Sequence, residues 1–254
     1  MMNDRPTRQN DDAVYGIRAI MEAVRSGKQV DKVLVKQGLS GELASELFSL
    51  LKQRNIPMQY VPEQSLNKYG NRNHQGVIAM ISPVEFHDLE FLLPTIFEQK
   101  GSPFLLILDG ITDVRNFGAI VRTAECAGVD AIIIPTKGSA KIGSDAVKTS
   151  AGALHNVPIC KVHSLKVAIN FMKQSGLKVI SATEKANQTC YESDLTGPVA
   201  LVMGSEDEGV SNDVLRLSDM LVAIPQYGQI GSLNVSVAAG VLTYEIVRQR
   251  IRLR

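Results

Sequence analysis

The sequence predicts an α/β protein whose larger part is a parallel sheet covered by helices, and three observations carry that reading. Short unbroken apolar runs recur from Phe104 onward, at 104–108, 131–134, 157–160, 179–182, 199–203 and 221–224. Stretches of helical periodicity fall between or after them, at 117–127, 164–174, 211–217 and 234–252. Hydrophobic residues make up 44% and charged residues 21%, the balance of a globular chain with a real core. Unbroken hydrophobicity, as opposed to alternation, marks strands buried on both faces, and strands of that kind belong to parallel sheets layered with helices. A doubly wound α/β catalytic domain over residues 103–254 follows.

The elements before it read as a smaller α/β unit over residues 12–83. Ile17, Ile20, Met21 and Val24 give 15–26 helical spacing, and Gly27 stops the helix. Residues 32–35 read as a short strand. Ser40 is the expected cap of a second amphipathic helix over 41–54, followed by a strand at 56–61, a short helix at 62–69 and a strand at 76–81. Residues 84–102 hold acidic pairs and a weak helical pattern between Pro83 and Pro103, with Pro94 inside it. They read as a linker with some helix, ending in the turn Gly101-Ser102-Pro103.

Composition excludes several classes of function. No apolar run approaches the roughly 20 residues that span a bilayer, so no membrane is expected. The N-terminal residues MMNDRPTRQNDD lack a signal-peptide core, which points to the cytoplasm. Cys126, Cys160 and Cys190 are odd in number and far apart, as free thiols in a reducing compartment would be. The four histidines show no metal-ligand spacing, and no metal is expected. Net charge is only +1, although Arg5 and Arg8 at one end and Arg248, Arg250, Arg252 and Arg254 at the other concentrate positive charge. Such a tail is either a solvated helix end favoured by the helix dipole or a phosphate contact. No two glycines are separated by a single residue, so a GxGxxG dinucleotide loop is absent, as are GxxxxGK[ST] and GxSxG.

Three polar, glycine-bearing segments remain, each after an expected strand. They contain Asn116, Gly118, Arg122, Thr123, Ala124 and Gly128; then Gly204, Glu206 and Gly209; then Ile224-Pro225 and Ser232-Leu233-Asn234-Val235-Ser236. Singly they permit ordinary readings, such as Asn116 capping a helix. Together, and in this order, they closely resemble the three motifs of the SpoU (TrmH-like) RNA ribose 2′-O-methyltransferases of the SPOUT superfamily. Tyr15-Gly16, Glu22-Ala23 and His74-Gln75-Gly76-Val77 resemble the added N-terminal domain of the subgroup acting on guanosine in 23S ribosomal RNA. Val114, Phe117 and Gln226-Tyr227 depart from that pattern only at positions outside the polar motifs.

The resemblance implies a SPOUT-type catalytic domain with a C-terminal trefoil knot, preceded by a small L30e-like domain that binds RNA. It implies a homodimer with a shared active site and S-adenosyl-L-methionine as cofactor. The implied reaction is an in-line displacement in which a ribose 2′-oxygen takes the sulfonium methyl. Implied catalytic residues are Arg122, Asn116, Glu206, Ser232 and Asn234; implied cofactor contacts are Thr183, Gly204, Ile224 and Leu233. A transfer-RNA substrate, or a non-catalytic RNA-binding role on the same scaffold, stands as the alternative. Arg122 is an awkward base, since a guanidinium loses its proton only above about pH 12, and stabilising a developing alkoxide beside a phosphate suits it equally. Asn116 and Arg122 lie about 120° apart on a helix, so one pocket takes both only if Asn116 precedes the helix or Arg122 serves a neighbouring subunit.

Overall fold

The computed structural model describes residues 13–69 and 72–251. Arg5, Arg8, Arg252 and Arg254 lie outside the described residues. The chain divides into two compact units with the boundary between residues 84 and 85.

The first unit contains β1 (Ala13–Tyr15), α1 (Ile17–Arg25), β2 (Val30–Lys36), α2 (Glu42–Gln53), β3 (Met58–Val61), α3 (Glu63–Asn67) and β4 (Val77–Ile81). The sheet runs β1-β4-β2-β3, with β4 antiparallel to both neighbours and β2 parallel to β3. Its main core sets Ile20, Met21 and Val24 of α1 and Ala44, Leu47 and Leu51 of α2 against Val33, Val35, Val77 and Ala79. A smaller cluster on Leu34, Ile78 and Met80 takes Leu66 of α3. Ser40 does not cap α2: Gly41 precedes the helix, and no side chain accepts from its first turn. The first turn of α1 is satisfied from a distance, the Ile17 amide donating to Gln75 Oε1 at 3.0 Å.

The second unit contains β5 (Phe86–His87), α4 (Leu89–Lys100), β6 (Phe104–Leu108), α5 (Val114–Cys126), β7 (Ala131–Pro135), α6 (Ser144–Thr149), β8 (Ile159–Val162), α7 (Leu165–Gln174), β9 (Lys178–Ala182), β10 (Val199–Met203), α8 (Asn212–Leu217), β11 (Met220–Val222) and α9 (Val235–Ile251). Every pairing in its sheet, ordered β11-β9-β10-β6-β7-β8-β5, is parallel. Leu105, Ile107, Ala131, Ile133 and Val202 pack against α4, α7 and α8. The alternate residues Phe104, Leu106, Leu108 and Ile132 are also buried, which places them toward α5 and α9 on the opposite face. The expected parallel α/β sheet is therefore what this half of the chain forms.

Residues 84–102 are a correction. From residue 85 onward they do not link the units but belong to the second: β5 pairs with β8, and Leu89, Leu93 and Ile96 of α4 enter its core. The helix expected in this stretch is α4, which Asp88 starts by accepting from the Glu90 amide at 2.8 Å. A second correction concerns α5, which begins three residues before the expected start. Its cap is Asp113, accepting from the Arg115 and Asn116 amides at 2.8 and 2.9 Å, so Asn116 is inside the first turn and caps nothing here. The motif glycine Gly128 ends this helix at φ 73°, a left-handed position that favours glycine.

Of the described arginines of the tail, Arg250 is neither a solvated residue nor open to a phosphate. Arg250 donates to the carbonyls of Ser102 (3.2 Å), Pro103 (2.9 Å) and Gly197 (2.5 Å), with its guanidinium 5.1 Å from the Phe104 ring centre. Burial pulls its ionisation below the ordinary guanidinium value, with Asp130 opposing. Arg248 pairs with the buried Glu245 at 2.6 Å.

All three cysteines are free thiols. Cys160 is fully buried, and burial, reinforced by Asp88, pushes its pKa from 9.0 to about 12. Cys126 is exposed on α5. At pH 8, alkylation followed by mass mapping is expected to label Cys126 first and to leave Cys160 intact until the chain unfolds. Since the thiol of Cys160 ionises at 9.0 when unfolded and near 12 when folded, its contribution to stability is full below pH 9 and fades as pH rises toward 12. Equal labelling of Cys126 and Cys160 in the folded chain would contradict this burial. Among the described residues no helix is long and apolar enough to cross a membrane.

Candidate active site

Ligands in open parallel sheets sit beyond the carboxyl ends of strands where the strand order reverses. Here the chain builds β6, β7 and β8 outward in one direction and places β10, β9 and β11 on the other side of β6. A cavity of about 380 Å³ lies at that end of the sheet. Ala182, Met203 and Val222 at the ends of β9, β10 and β11 form its floor, with Ile224, Leu233, Val235, Ala238 and Leu242 as further apolar wall. Its charged lining is acidic on balance: Glu184, Glu206, Asp207 and Glu208 against Lys185. Thr183, Gly204, Ile224 and Leu233, the four residues expected to contact cofactor, all line it, together with Glu206 and Ser232. The volume suits a small-molecule ligand, and the mixture of apolar wall with a few polar groups is typical of such sites.

The loop 204–210 is shaped by its two glycines. A Cβ on Gly204 would stand 2.0 Å from the carbonyl carbon of Gly209 and 2.1 Å from the Val210 nitrogen, so the chain folds back directly onto residue 204. Ser205 and Gly209 exchange backbone hydrogen bonds, both 3.1 Å, and Ser205 Oγ accepts from the Glu208 amide at 3.1 Å. The result is a tight turn with Glu206 near its tip. Gly118 has an equivalent reason: a Cβ there would meet Thr149 Oγ1 at 2.1 Å, so α6 sits directly on α5.

Beside the cavity, Asn234 joins two of the other expected residues, Asn116 and Glu206. Its Nδ2 donates to Asn116 Oδ1 at 3.1 Å and to Glu206 Oε1 at 2.5 Å. Its Oδ1 accepts from the amide and the hydroxyl of Ser236, at 2.9 and 2.5 Å. Both amide protons and the amide oxygen are thus assigned, which fixes the side-chain orientation. The same residue caps α9, because the Ser236 amide belongs to its first turn. The first turn of α5, the loop after β10 and the start of α9 therefore meet at one side chain.

Arg122 does not join them. It is exposed on α5, six positions after Asn116, is not among the residues lining the cavity, and its side chain makes no hydrogen bond or ion pair among the described residues. Since Asn116 lies within α5, the option that it precedes the helix is removed. Residues that the sequence reading passed over include Asp113, the cap of α5, and Ser236, which fixes Asn234; a serine two residues after an asparagine is a legible capping signal. Among the described residues no cluster of His, Cys, Asp or Glu could hold a metal ion.

Comparison with known proteins places this arrangement. Residues 103–244 match the SpoU rRNA Methylase family, and residues 13–87 match a family described as RNA 2′-O ribose methyltransferase substrate binding. A Staphylococcus aureus protein assigned to the TrmH family of tRNA/rRNA methyltransferases is 37% identical over 94% of this chain and 97% of its own length. Among solved structures, the SpoU methyltransferase AviRb of Streptomyces viridochromogenes is 28% identical, with a TM-score of 0.61 over 100% of this chain and 95% of that one. AviRb in complex with the cofactor AdoMet is similar at 26% identity and TM-score 0.60, covering 98% and 95% of the two chains. The chain belongs to the SpoU rRNA methylase family and is an RNA methyltransferase of the ribose 2′-O type.

Proposed function

We propose that the protein methylates the ribose 2′-oxygen of a guanosine in 23S ribosomal RNA, using S-adenosyl-L-methionine. The convergence of Asn116 and Glu206 on Asn234, beside a cavity of cofactor size, is the observation that carries this reading. The residues present fit that donor: Ile224, Leu233 and Leu242 offer an apolar wall for adenine, Gly204 admits close backbone approach, and the surplus of carboxylates suits a cationic sulfur. Thr183, Gly204, Ile224 and Leu233 would hold it. When bound, the donor supplies an electrophilic methyl group on a sulfonium.

The chain's own residues would then position the RNA. Glu206, held by Asn234, and Ser232 line the cavity and can orient a ribose or accept its 2′-hydroxyl proton. The guanidinium of Arg122 suits a phosphate and a developing alkoxide. Within one chain it neither lines the cavity nor joins the Asn234 junction, which favours a homodimer in which it serves the neighbouring subunit. Exposed apolar side chains are in keeping with such an arrangement: Tyr227 is 97% and Ile230 81% exposed, and Val237 and Tyr244 of α9 are half exposed. A trefoil knot fits the way two later segments of the chain close on 183–198: Ala223 bonds to Gln188 and Cys190, and Gln249 of α9 to Ser193 and Leu195. The small mixed sheet of the first unit suits an L30e-like RNA-binding domain, and the free thiols suit the cytoplasm.

The relatives' tRNA/rRNA description keeps a transfer-RNA substrate as the second reading. Transfer of a tritiated methyl group to unmodified ribosomal and transfer RNA, followed by mapping of the methylated sugar, decides between them. Label on a guanosine ribose of 23S RNA is expected; label confined to transfer RNA overturns the substrate, and label on neither overturns the enzyme.

A further inference from the structure

Asp109, immediately after β6, stands outside every motif that the function absorbed. Its amide donates to the Met203 carbonyl at 2.8 Å, and its Oδ2 accepts from the Ser211 amide at 2.8 Å. Met203 and Ser211 are the two feet of the loop 204–210. One residue on the central strand therefore grips both ends of the turn that carries Glu206 and lines the cavity. Its neighbour Gly110 adds a contact from the same side, since a Cβ there would come within 3.3 Å of Ser205 Cβ. Between the feet the loop is closed on itself by the Ser205–Gly209 pair, so it can move only as a unit about those feet. The Met203 foot is additionally held by the β6–β10 ladder, whereas the Ser211 foot begins a helix of only 6 residues.

We infer that Asp109 is a positioning residue for methyl transfer: its carboxylate fixes the height of the 204–210 loop, and through it the place of Glu206 against Asn234. This rests on the function proposed above, but the brace itself can be tested without it. In Asp109→Ala, amide exchange measured across 204–211 is expected to accelerate about tenfold, as befits loss of a hydrogen bond to a carboxylate. Single-turnover transfer at saturating donor and RNA should fall about tenfold by displacement of the reacting groups, with KM for RNA unchanged. Asp109→Asn retains an acceptor oxygen and should restore both slow exchange and rate. Should Asp109→Ala not fold, Asp109→Glu, which moves the acceptor by one methylene, takes its place with the same expectations.

Unchanged exchange in Asp109→Ala, or equal damage in Asp109→Asn, overturns the inference, since a carboxylate needed only for charge or bulk would behave so. A rate loss that merely follows the unfolded fraction in thermal melts overturns it too. If the unsubstituted chain transfers no methyl group, the functional reading falls while the exchange measurement still decides the brace.

Discussion

Asn234→Ala is expected to reduce methyl transfer by about a hundredfold while lowering stability by only about 1 kcal/mol. The two effects come from opposite ends of one amide. Its oxygen accepts from Ser236 and caps α9, a contribution ordinarily worth about 1 kcal/mol. Its nitrogen holds Asn116 and Glu206 together, and loosening groups of this kind by about an ångström is enough for a hundredfold loss of rate. Asn234→Asp separates the two. An aspartate still caps α9, and its charge suits a helix N-terminus, but it presents a carboxylate oxygen to Glu206 where a donor stood. The aspartate variant should therefore melt close to the parent temperature and be as slow as the alanine variant. Near-normal turnover in either variant, with the melting curves as described, would show that the Asn116–Asn234–Glu206 junction does not serve the reaction.

Gly204→Ala is expected to destabilise the protein by about 3 kcal/mol and to abolish measurable donor binding. The added carbon would sit 2.0–2.3 Å from three backbone atoms of Gly209 and Val210, and backbone cannot rotate aside as a side chain can. Either the second unit is strained or the 204–210 loop opens and takes the cavity wall with it. Gly209→Ala is the control within the same turn. No atom lies within 4 Å of its would-be Cβ, so its penalty comes only from φ 70° and is about 1–2 kcal/mol. Thermal unfolding and calorimetry with the donor measure both variants. Equal melting temperatures, or donor affinity retained in Gly204→Ala, would mean that the loop is more plastic than its packing implies.

Much of this architecture was legible in the residues. The unbroken runs around Leu106, Ile133 and Leu201 could belong only to strands buried on both sides, and each of them forms one. The strand-end loops with Gly204 and Asn234 were identifiable because polar and glycine residues cluster where an apolar run stops. What escaped was set by contacts distant in the chain. The helical pattern at 89–99 was legible despite Pro94, but its place in the core of the second unit, through Leu93 and Ile96, was not. The cap of α5 was misplaced because Asp113 and Asn116 are both good caps, and local preference cannot choose between them. Arg250 looked like a solvated residue in an arginine-rich tail; only the fold brings the carbonyls of Ser102, Pro103 and Gly197 to it. The role of Asp109 depends on a partner 102 positions away and leaves no periodic trace.

The last helix has an implication for how disturbances travel. Its 17 residues make a rod roughly 25 Å long at about 1.5 Å per residue, beginning at the Asn234 junction and gripped near its far end by the Arg250 carbonyl contacts. Such a rod transmits displacement instead of absorbing it. A change under the far edge of the sheet, with no ligand within reach, can therefore tilt the amide that organises the chemistry at the opposite edge.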